Sequence, residues 1–110
     1  MEIKSAYLVD SHCHLNFKDF NDDFEKVLLR AKESNVRVMV SISTELDEID
    51  KIINLSEKHD NIYCTVGVHP HSTNLDNQID EDFLEKKSEN TNVIGIGETG
   101  LDFYHSTDNI

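Results

Sequence analysis

Four short apolar runs punctuate this chain, and each of them has the length and composition of a β-strand. They cover residues 6–9, 36–42, 62–68 and 93–96. The second run is the clearest, because Val36, Val38, Val40 and Ile42 alternate with other residues, and β-branched side chains favour the pleated surface of a sheet. The pattern therefore predicts four strands at regular intervals.

Apolar residues at helical spacing lie between these runs and predict three helices. The first carries apolar residues from Phe20 to Ala31, with acidic residues early and basic residues late, an order that suits the helix dipole. Asn35 can close this helix. Thr44 is expected to cap the second helix, and a weaker pattern over residues 78–88 predicts the third.

The alternation of strands and helices predicts an α/β fold with a parallel sheet, because right-handed crossovers place the helices outside such a sheet. No linker or low-complexity stretch interrupts the chain, so residues 1–110 are expected to form one domain. No apolar run approaches the ~18 residues of a membrane span, and the first residues do not resemble a signal peptide. We expect a cytoplasmic protein that does not contact a membrane.

The formal net charge of −12 argues against one class of function. A protein that grips nucleic acid through a basic patch needs an excess of lysine and arginine, whereas this chain has 10 such residues against 22 acidic ones. Any phosphate-bearing substrate would have to be attracted mainly by bound metal and by groups close to it.

The two cysteines are expected to be small buried side chains. Cys13 and Cys64 fall on the first and third strands. Strands that flank a third one lie ~9.6 Å apart, beyond the ~7 Å reach of a disulfide. Cys13 also faces away from its neighbours His12 and His14, so we do not expect it to bind the same ligand as they do.

Side chains that can bind metal lie at the ends of the predicted strands. His12 and His14 come where the first strand ends, and residues at i and i+2 of a strand point to the same side, so both imidazoles can close on one metal ion. His69 and His71 follow the third strand, and Glu98 follows the fourth. In parallel βα folds the chemistry collects at these ends. The alternative is an exposed or hydrogen-bonded histidine pair at a strand end.

Three segments resemble the N-terminal signatures of the TatD family of metal-dependent deoxyribonucleases. They are residues 8–16 (LVDSHCHLN), 67–71 (GVHPH) and 95–104 (GIGETGLDFY), in the family's order. The resemblance implies a TIM-type (β/α)8 barrel of roughly 250 residues, of which this chain would form the N-terminal part, truncated after the fourth strand. It also implies a phosphodiesterase that hydrolyses DNA with divalent metal ions, two of them in the complete fold, with Mg²⁺, Mn²⁺ and Zn²⁺ as candidates.

The resemblance gives each metal-binding candidate a role. His12 and His14 would hold one metal ion, and Glu98 would bind or bridge two, since a carboxylate has two oxygens. The substrate-binding candidates are the later histidines, namely His69, His71 and His105. His69 would contact the phosphate. His71 would either contact the phosphate or shape the loop after Pro70. His105 would be a phosphate contact or a solvent-exposed histidine.

The family's remaining ligands, two histidines and an aspartate, come from later strands, and the 110 residues end before them. We therefore expect a truncated or split product that needs a complementary C-terminal chain, or a homo-oligomer, for activity. Two alternatives stay open. One is a non-enzymatic metal-binding or self-associating half-barrel module. The other is an amidohydrolase-type metal hydrolase, although such enzymes commonly use a lysine ligand that is absent after the fourth strand.

Overall fold

A parallel sheet organises the fold. In the computed structural model, which describes residues 6–70 and 80–104, four strands alternate with three α-helices. The elements in chain order are β1 (Leu8–Cys13), α1 (Phe24–Glu33), β2 (Val36–Ser41), α2 (Ile49–Lys58), β3 (Ile62–Val66), α3 (Glu81–Lys87) and β4 (Val93–Ile96). The strand order is β1-β2-β3-β4, and each neighbouring pair is parallel. The predicted α/β alternation and parallel sheet are confirmed.

The helices pack on one face of the sheet. On β3, Ile62, Cys64 and Val66 are buried and the residues between them are half-buried, which places the first three on the helix side. One apolar cluster joins α1 to Leu15, Met39 and Ile62, and a second joins α2 and α3 to Cys64 and Val66. The longest helices have ten residues, and none in the described part of the chain is long and apolar enough to cross a bilayer.

The two outer strands carry apolar side chains in contact with solvent. Leu8 and Val9 on β1 are 60% and 52% exposed, and Ile94 and Ile96 on β4 are 57% and 56% exposed. Within residues 6–70 and 80–104, β1 pairs only with β2, and β4 pairs only with β3. The sheet therefore presents two open edges with apolar side chains.

Strand β1 extends further than the apolar pattern predicted. The pattern ends at residue 9, but β1 continues to Cys13, so His12 lies inside the strand rather than after it. The reason is backbone pairing with β2, in which Cys13 lies opposite Ser41 and the Ile42 N–H donates to the Cys13 carbonyl at 2.7 Å. Pairing with a buried central strand brings polar side chains into the sheet that their own propensities would not place there.

The predicted cap of the second helix is wrong. Residues Leu46–Glu48 form a turn of 3₁₀ helix, and α2 begins at Ile49 without a side-chain cap. Thr44 lies in the segment after β2, where its carbonyl accepts a hydrogen bond from the His69 N–H at 2.8 Å. The backbone of Thr44 thus ties the ends of β2 and β3 together, and the helix starts further along.

The ends of the other two helices also differ in detail from the sequence pattern. The first helix starts at Phe24, because Lys18–Phe20 form a separate 3₁₀ turn. At the third helix the Asp80 side chain accepts a hydrogen bond from the Asp82 N–H at 2.9 Å, which caps α3. The predicted start of that helix at residues 78 and 79 lies outside the described residues.

Asn35 ends α1 as predicted. Its φ of 66° lies in the left-handed region, which asparagine and glycine adopt more readily than other residues. The Asn35 N–H donates to the Lys32 carbonyl at 3.0 Å, and the Asn35 carbonyl accepts from the Leu8 N–H at 2.9 Å. Its Nδ2 donates to the Ala6 carbonyl, also at 2.9 Å. One residue therefore closes the helix and anchors the start of β1.

Replacement of Asn35 by alanine should lower the free energy of unfolding by about 1–2 kcal/mol, because alanine is strained in the left-handed region and cannot bond to Ala6. Asn35→Gly tolerates the conformation and lacks only the amide, so its loss should be smaller. Urea unfolding followed by circular dichroism measures both. Equal losses would mean that the side-chain amide, which donates to Ala6 and accepts from Arg37 Nε at 3.2 Å, carries the effect and not the backbone conformation.

Candidate metal centre

His12 in β1 and His14 directly after it bring both rings to the carboxylate of Glu98. The Nε2 atoms of His12 and His14 lie 3.7 and 3.5 Å from Glu98 Oε2. The two imidazole rings are 5.1 Å apart and nearly perpendicular. The i, i+2 spacing thus places two nitrogen donors beside one carboxylate oxygen, as the alternation of a strand requires.

The ring of His14 is held in one orientation by two contacts. Its Nδ1 lies 2.9 Å from the Ile42 carbonyl, which can only accept, so Nδ1 donates the hydrogen bond and Nε2 is the ring nitrogen directed toward Glu98. The ring also stacks on Phe17, with centroids 4.6 Å apart and planes 7° from parallel. A histidine that donates its other N–H to a backbone carbonyl is typical of a metal ligand.

Glu98 reaches the histidines because the backbone before it turns across the ends of two strands. The Gly97 N–H donates to the Val66 carbonyl, and the Glu98 N–H donates to the Ser43 carbonyl, both at 2.9 Å. The Glu98 side chain is 20% exposed. The carboxylate therefore lies in a partly enclosed position, where its attraction for a cation is less screened by water than on an open surface.

His69 approaches the same carboxylate from the other side. Its Nε2 lies 3.6 Å from Glu98 Oε1, whereas His12 and His14 lie nearest to Oε2. The side chain of His69 is 33% exposed. Glu98 is thus the centre of the group, with two imidazoles on one oxygen and one imidazole on the other.

The donor atoms fit a divalent cation. Two ligands ~2.1 Å from one ion in a tetrahedral arrangement lie about 3.4 Å apart, close to the 3.5 and 3.7 Å observed between the imidazole nitrogens and Glu98 Oε2. One donor atom from each of His12, His14 and Glu98 can be chosen so that all lie within 4.8 Å of one another. Two nitrogens and a carboxylate suit Zn²⁺ or Mn²⁺.

Cys13 lies between the two histidines in sequence but faces away from this site. Its Sγ donates to the Val40 carbonyl at 3.3 Å and packs against the cluster of Leu15, Met39 and Ile62. Burial, with a smaller contribution from the negative charge of Asp10, raises the pKa of the Cys13 thiol to about 12. The thiol is therefore protonated at neutral pH and is a poor metal ligand. Cys13 and Cys64 are both free, which agrees with the predicted absence of a disulfide.

The remaining substrate-binding candidates are two histidines. His71 and His105 lie outside the described residues, so their substrate-binding roles stay predictions. In the loop after β4, the Asp102 side chain accepts a hydrogen bond from the Tyr104 N–H at 2.8 Å, which braces this loop. An open cavity of about 490 Å³ lies beside it, lined by His69, Pro70 and residues 101–104.

A second group of acidic side chains lies on the turn before α2. Carboxylate oxygens of Glu45, Asp47 and Glu48 lie within 4.8 Å of one another. The Glu48 carboxylate already accepts from Asn16 Nδ2 at 3.1 Å and lies 4.0 Å from Lys51 Nζ. Since a protein cation and an amide occupy part of this carboxylate, we assign no metal to the turn.

The sequence did not reveal the residues that orient the metal-binding side chains without binding metal themselves. Phe17 is an apolar residue in the sequence pattern, and nothing in the local pattern marks it as the stacking partner of His14. Ser43 and Thr65 have no local pattern that marks them either, although the Ser43 hydroxyl is buried, and a buried polar group needs a partner. The need of a buried hydroxyl for a hydrogen-bond partner is the signal that could have drawn attention to Ser43.

Comparison with known proteins identifies the family. The model of the TatD related DNase family matches residues 9–109. The chain belongs to this family, as the three signature segments indicated. A solved structure, that of the TatD homolog YJJV from Escherichia coli K12, superposes with a TM-score of 0.72 and 26% identity, covering 88% of this chain and 38% of that one. The predicted fold, a partial βα barrel, is confirmed.

Three curated relatives cover nearly the whole of this chain. An "Uncharacterized metal-dependent hydrolase" of Buchnera aphidicola is 34% identical over 94% of the chain. The E. coli K12 protein YcfH, with the same description, is 33% identical over 91%. The mouse "Putative deoxyribonuclease TATDN3" is 35% identical over 92%. The chain spans only 38–40% of the length of these proteins.

The double substitution His12→Ala, His14→Ala should lower the affinity for Zn²⁺ and Mn²⁺ by at least about 100-fold, because two of the three donors are removed. Isothermal titration calorimetry on the purified chain measures this. His59→Ala is the matched control, since His59 caps the end of α2 and its ring packs against Phe24. If the double variant bound as tightly as the control, the proposed site would be refuted.

Proposed function

We propose that this chain carries the metal-binding N-terminal part of a TatD-type phosphodiesterase that hydrolyses DNA with the help of divalent metal ions. The observation that carries the proposal is the Glu98 carboxylate, which has His12 and His14 beside one oxygen and His69 beside the other. Family membership supports the same chemistry, because the relatives are named metal-dependent hydrolases or a deoxyribonuclease.

In this proposal each residue has a separate task. His12, His14 and Glu98 would hold a divalent cation, and the second oxygen of the Glu98 carboxylate would let it serve a second cation. Divalent cations acidify bound water and offset the charge of a phosphodiester, which is the chemistry that such a group would supply. His69, whose Nε2 is 3.6 Å from Oε1, would bind either this second cation or a phosphate oxygen.

The cavity beside His69 suits a nucleic-acid substrate. Leu101, Phe103 and Tyr104 line it and are 69%, 64% and 91% exposed. Aromatic side chains in such a position can stack on an unpaired base, an interaction worth ~1–3 kcal/mol per base. This favours a single-stranded segment or a frayed strand end over an intact duplex, whose bases are already stacked.

The negative charge of the chain favours metal binding before DNA binding. The chain carries a net charge of −12, so a cation is attracted to it and a bare phosphate is repelled. The imidazoles and the bound cations must therefore provide the positive potential that a phosphodiester needs. We expect DNA to bind measurably only after the metal has bound.

Residues 1–110 form one part of a domain in this proposal, and activity requires a complementary part. The chain spans about two fifths of the length of its relatives, and the donors described above suffice for one cation but not for two. The remaining part of such a fold would supply the other donors. The choice among Mg²⁺, Mn²⁺ and Zn²⁺ and the expected cytoplasmic location stay predictions.

The hydrolysis can be tested by joining this chain to the remaining part of a relative such as YcfH. With Mn²⁺ the fusion should release nucleotides from labelled single-stranded DNA, and EDTA should abolish the release. Glu98→Gln should slow it by at least about 100-fold, because loss of the charged ligand removes several kcal/mol of metal-dependent stabilisation. The 110-residue chain alone should stay at the EDTA background.

Two results would contradict the proposal. A folded, metal-loaded fusion that cleaves amide or lactone substrates but not DNA would favour an amidohydrolase. Robust turnover by the 110 residues alone would show that no complementary part is needed. A His59→Ala fusion serves as the control for unspecific effects of histidine removal, since His59 packs against Phe24 on the helix side of the sheet.

A further inference from the structure

The backbone of Glu98 is bonded to a strand that is not its neighbour. In the sheet order, β3 lies between β2 and β4. The Glu98 N–H, two residues past the end of β4, nevertheless donates to the carbonyl of Ser43, which follows β2, at 2.9 Å. Neighbouring strands are ~4.8 Å apart, so this bond requires the chain to pass directly over the end of β3.

Gly67 makes this passage possible. It follows β3, and a Cβ at this position would lie 2.5 Å from the Glu98 carbonyl oxygen and 2.6 and 2.7 Å from the carbonyl carbon and oxygen of Gly97. These separations are well inside van der Waals contact, and the atoms concerned are backbone, which cannot swing aside. Any side chain at position 67 would therefore push Glu98 away from the end of β2.

One hydroxyl, that of Thr65, holds the crossing segment, and a second, that of Ser43, holds Gly67, over which the segment passes. The Thr65 hydroxyl donates to the Gly97 carbonyl at 2.8 Å and accepts from the Ser43 N–H at 3.3 Å. The Ser43 hydroxyl donates to the Gly67 carbonyl at 2.7 Å, and Ser43 is fully buried. Together with the bond from the Gly97 N–H to the Val66 carbonyl, the Thr65 hydroxyl engages both backbone polar groups of Gly97, the residue directly before Glu98.

We propose that Ser43, Thr65 and Gly67 form a latch that positions the Glu98 carboxylate for metal binding. These three are positioning residues, since none of them supplies a donor to the metal. With the backbone of Glu98 fixed to the ends of β2 and β3, only rotations of its side chain remain, and the carboxylate stays within 3.5–3.7 Å of His12, His14 and His69. The proposal rests on the metal centre of the proposed function.

Thr65→Val tests the latch, because valine has nearly the shape of threonine but carries a methyl group in place of the hydroxyl and makes no hydrogen bond. The Gly97 carbonyl then loses its donor, and the Ser43 N–H loses its acceptor. We expect hydrogen exchange of the Gly97 and Glu98 amides, measured by NMR without metal, to accelerate at least about tenfold. The affinity for Co²⁺, followed by its visible absorption, should fall about 10–100-fold, as for other residues that orient metal ligands.

Thr65→Ser and Ser56→Ala are the matched controls. The serine keeps a hydroxyl at position 65 and should restore both the slow exchange and the Co²⁺ affinity. Ser56 is also buried, and its hydroxyl donates to the Ile53 carbonyl at 2.7 Å within α2. Its removal tests the loss of a buried hydroxyl away from Glu98 and should change neither measurement. If Thr65→Val does not fold, Ser43→Ala replaces it with the same expected results.

The two measurements separate the latch from the proposed function. Unchanged exchange at Gly97 and Glu98 would overturn the latch, and so would faster exchange with unchanged Co²⁺ affinity in a chain that binds Co²⁺. If the unmodified chain bound no Co²⁺, the proposed metal centre would fail. In that case, faster amide exchange in Thr65→Val together with slow exchange in Thr65→Ser would still show that the latch fixes the backbone of Glu98.

Discussion

The hydrogen bond from the Glu98 N–H to the Ser43 carbonyl is the constraint on which the site depends. His12 and His14 lie at the end of β1, at one edge of the sheet, whereas Glu98 follows β4 at the other edge. A flat sheet would hold these strands too far apart for their side chains to meet. The bond over the end of β3 draws the end of β4 inward, and the carboxylate then reaches both imidazoles.

The same principle, backbone groups at strand ends engaged across the sheet, positions the other ligands. The His69 N–H bonds to the Thr44 carbonyl, and the His14 ring bonds to the Ile42 carbonyl. The segment after β2 thus supplies acceptors to three of the four side chains in the centre, either through their backbone or through their ring. Because β2 pairs with β1 on one side and with β3 on the other, the segment after it has a fixed position, which a metal site with fixed distances needs.

Local patterns in the sequence predicted most of the fold and the donor residues. Strand β4 and the end of α1 at Asn35 lie where the apolar runs and the turn chemistry indicated. The i, i+2 spacing of His12 and His14 predicted a shared face, because the period of a strand is a local property. The extension of β1 and the role of Thr44 were predicted wrongly, since both depend on hydrogen bonds to residues more than twenty positions away. Phe17, Gly67 and Thr65 escaped notice for the same reason.

The open edges of the sheet give the acidic surface of the chain a physical role. Leu8, Val9, Ile94 and Ile96 face solvent on strands that could pair with a strand of another molecule. Two copies that approached each other would each bring a charge of −12, and that repulsion acts over ~8 Å at physiological ionic strength. Added salt shortens the range of this repulsion. The ionic strength of the buffer therefore governs whether copies of the chain stay apart or associate through their sheet edges.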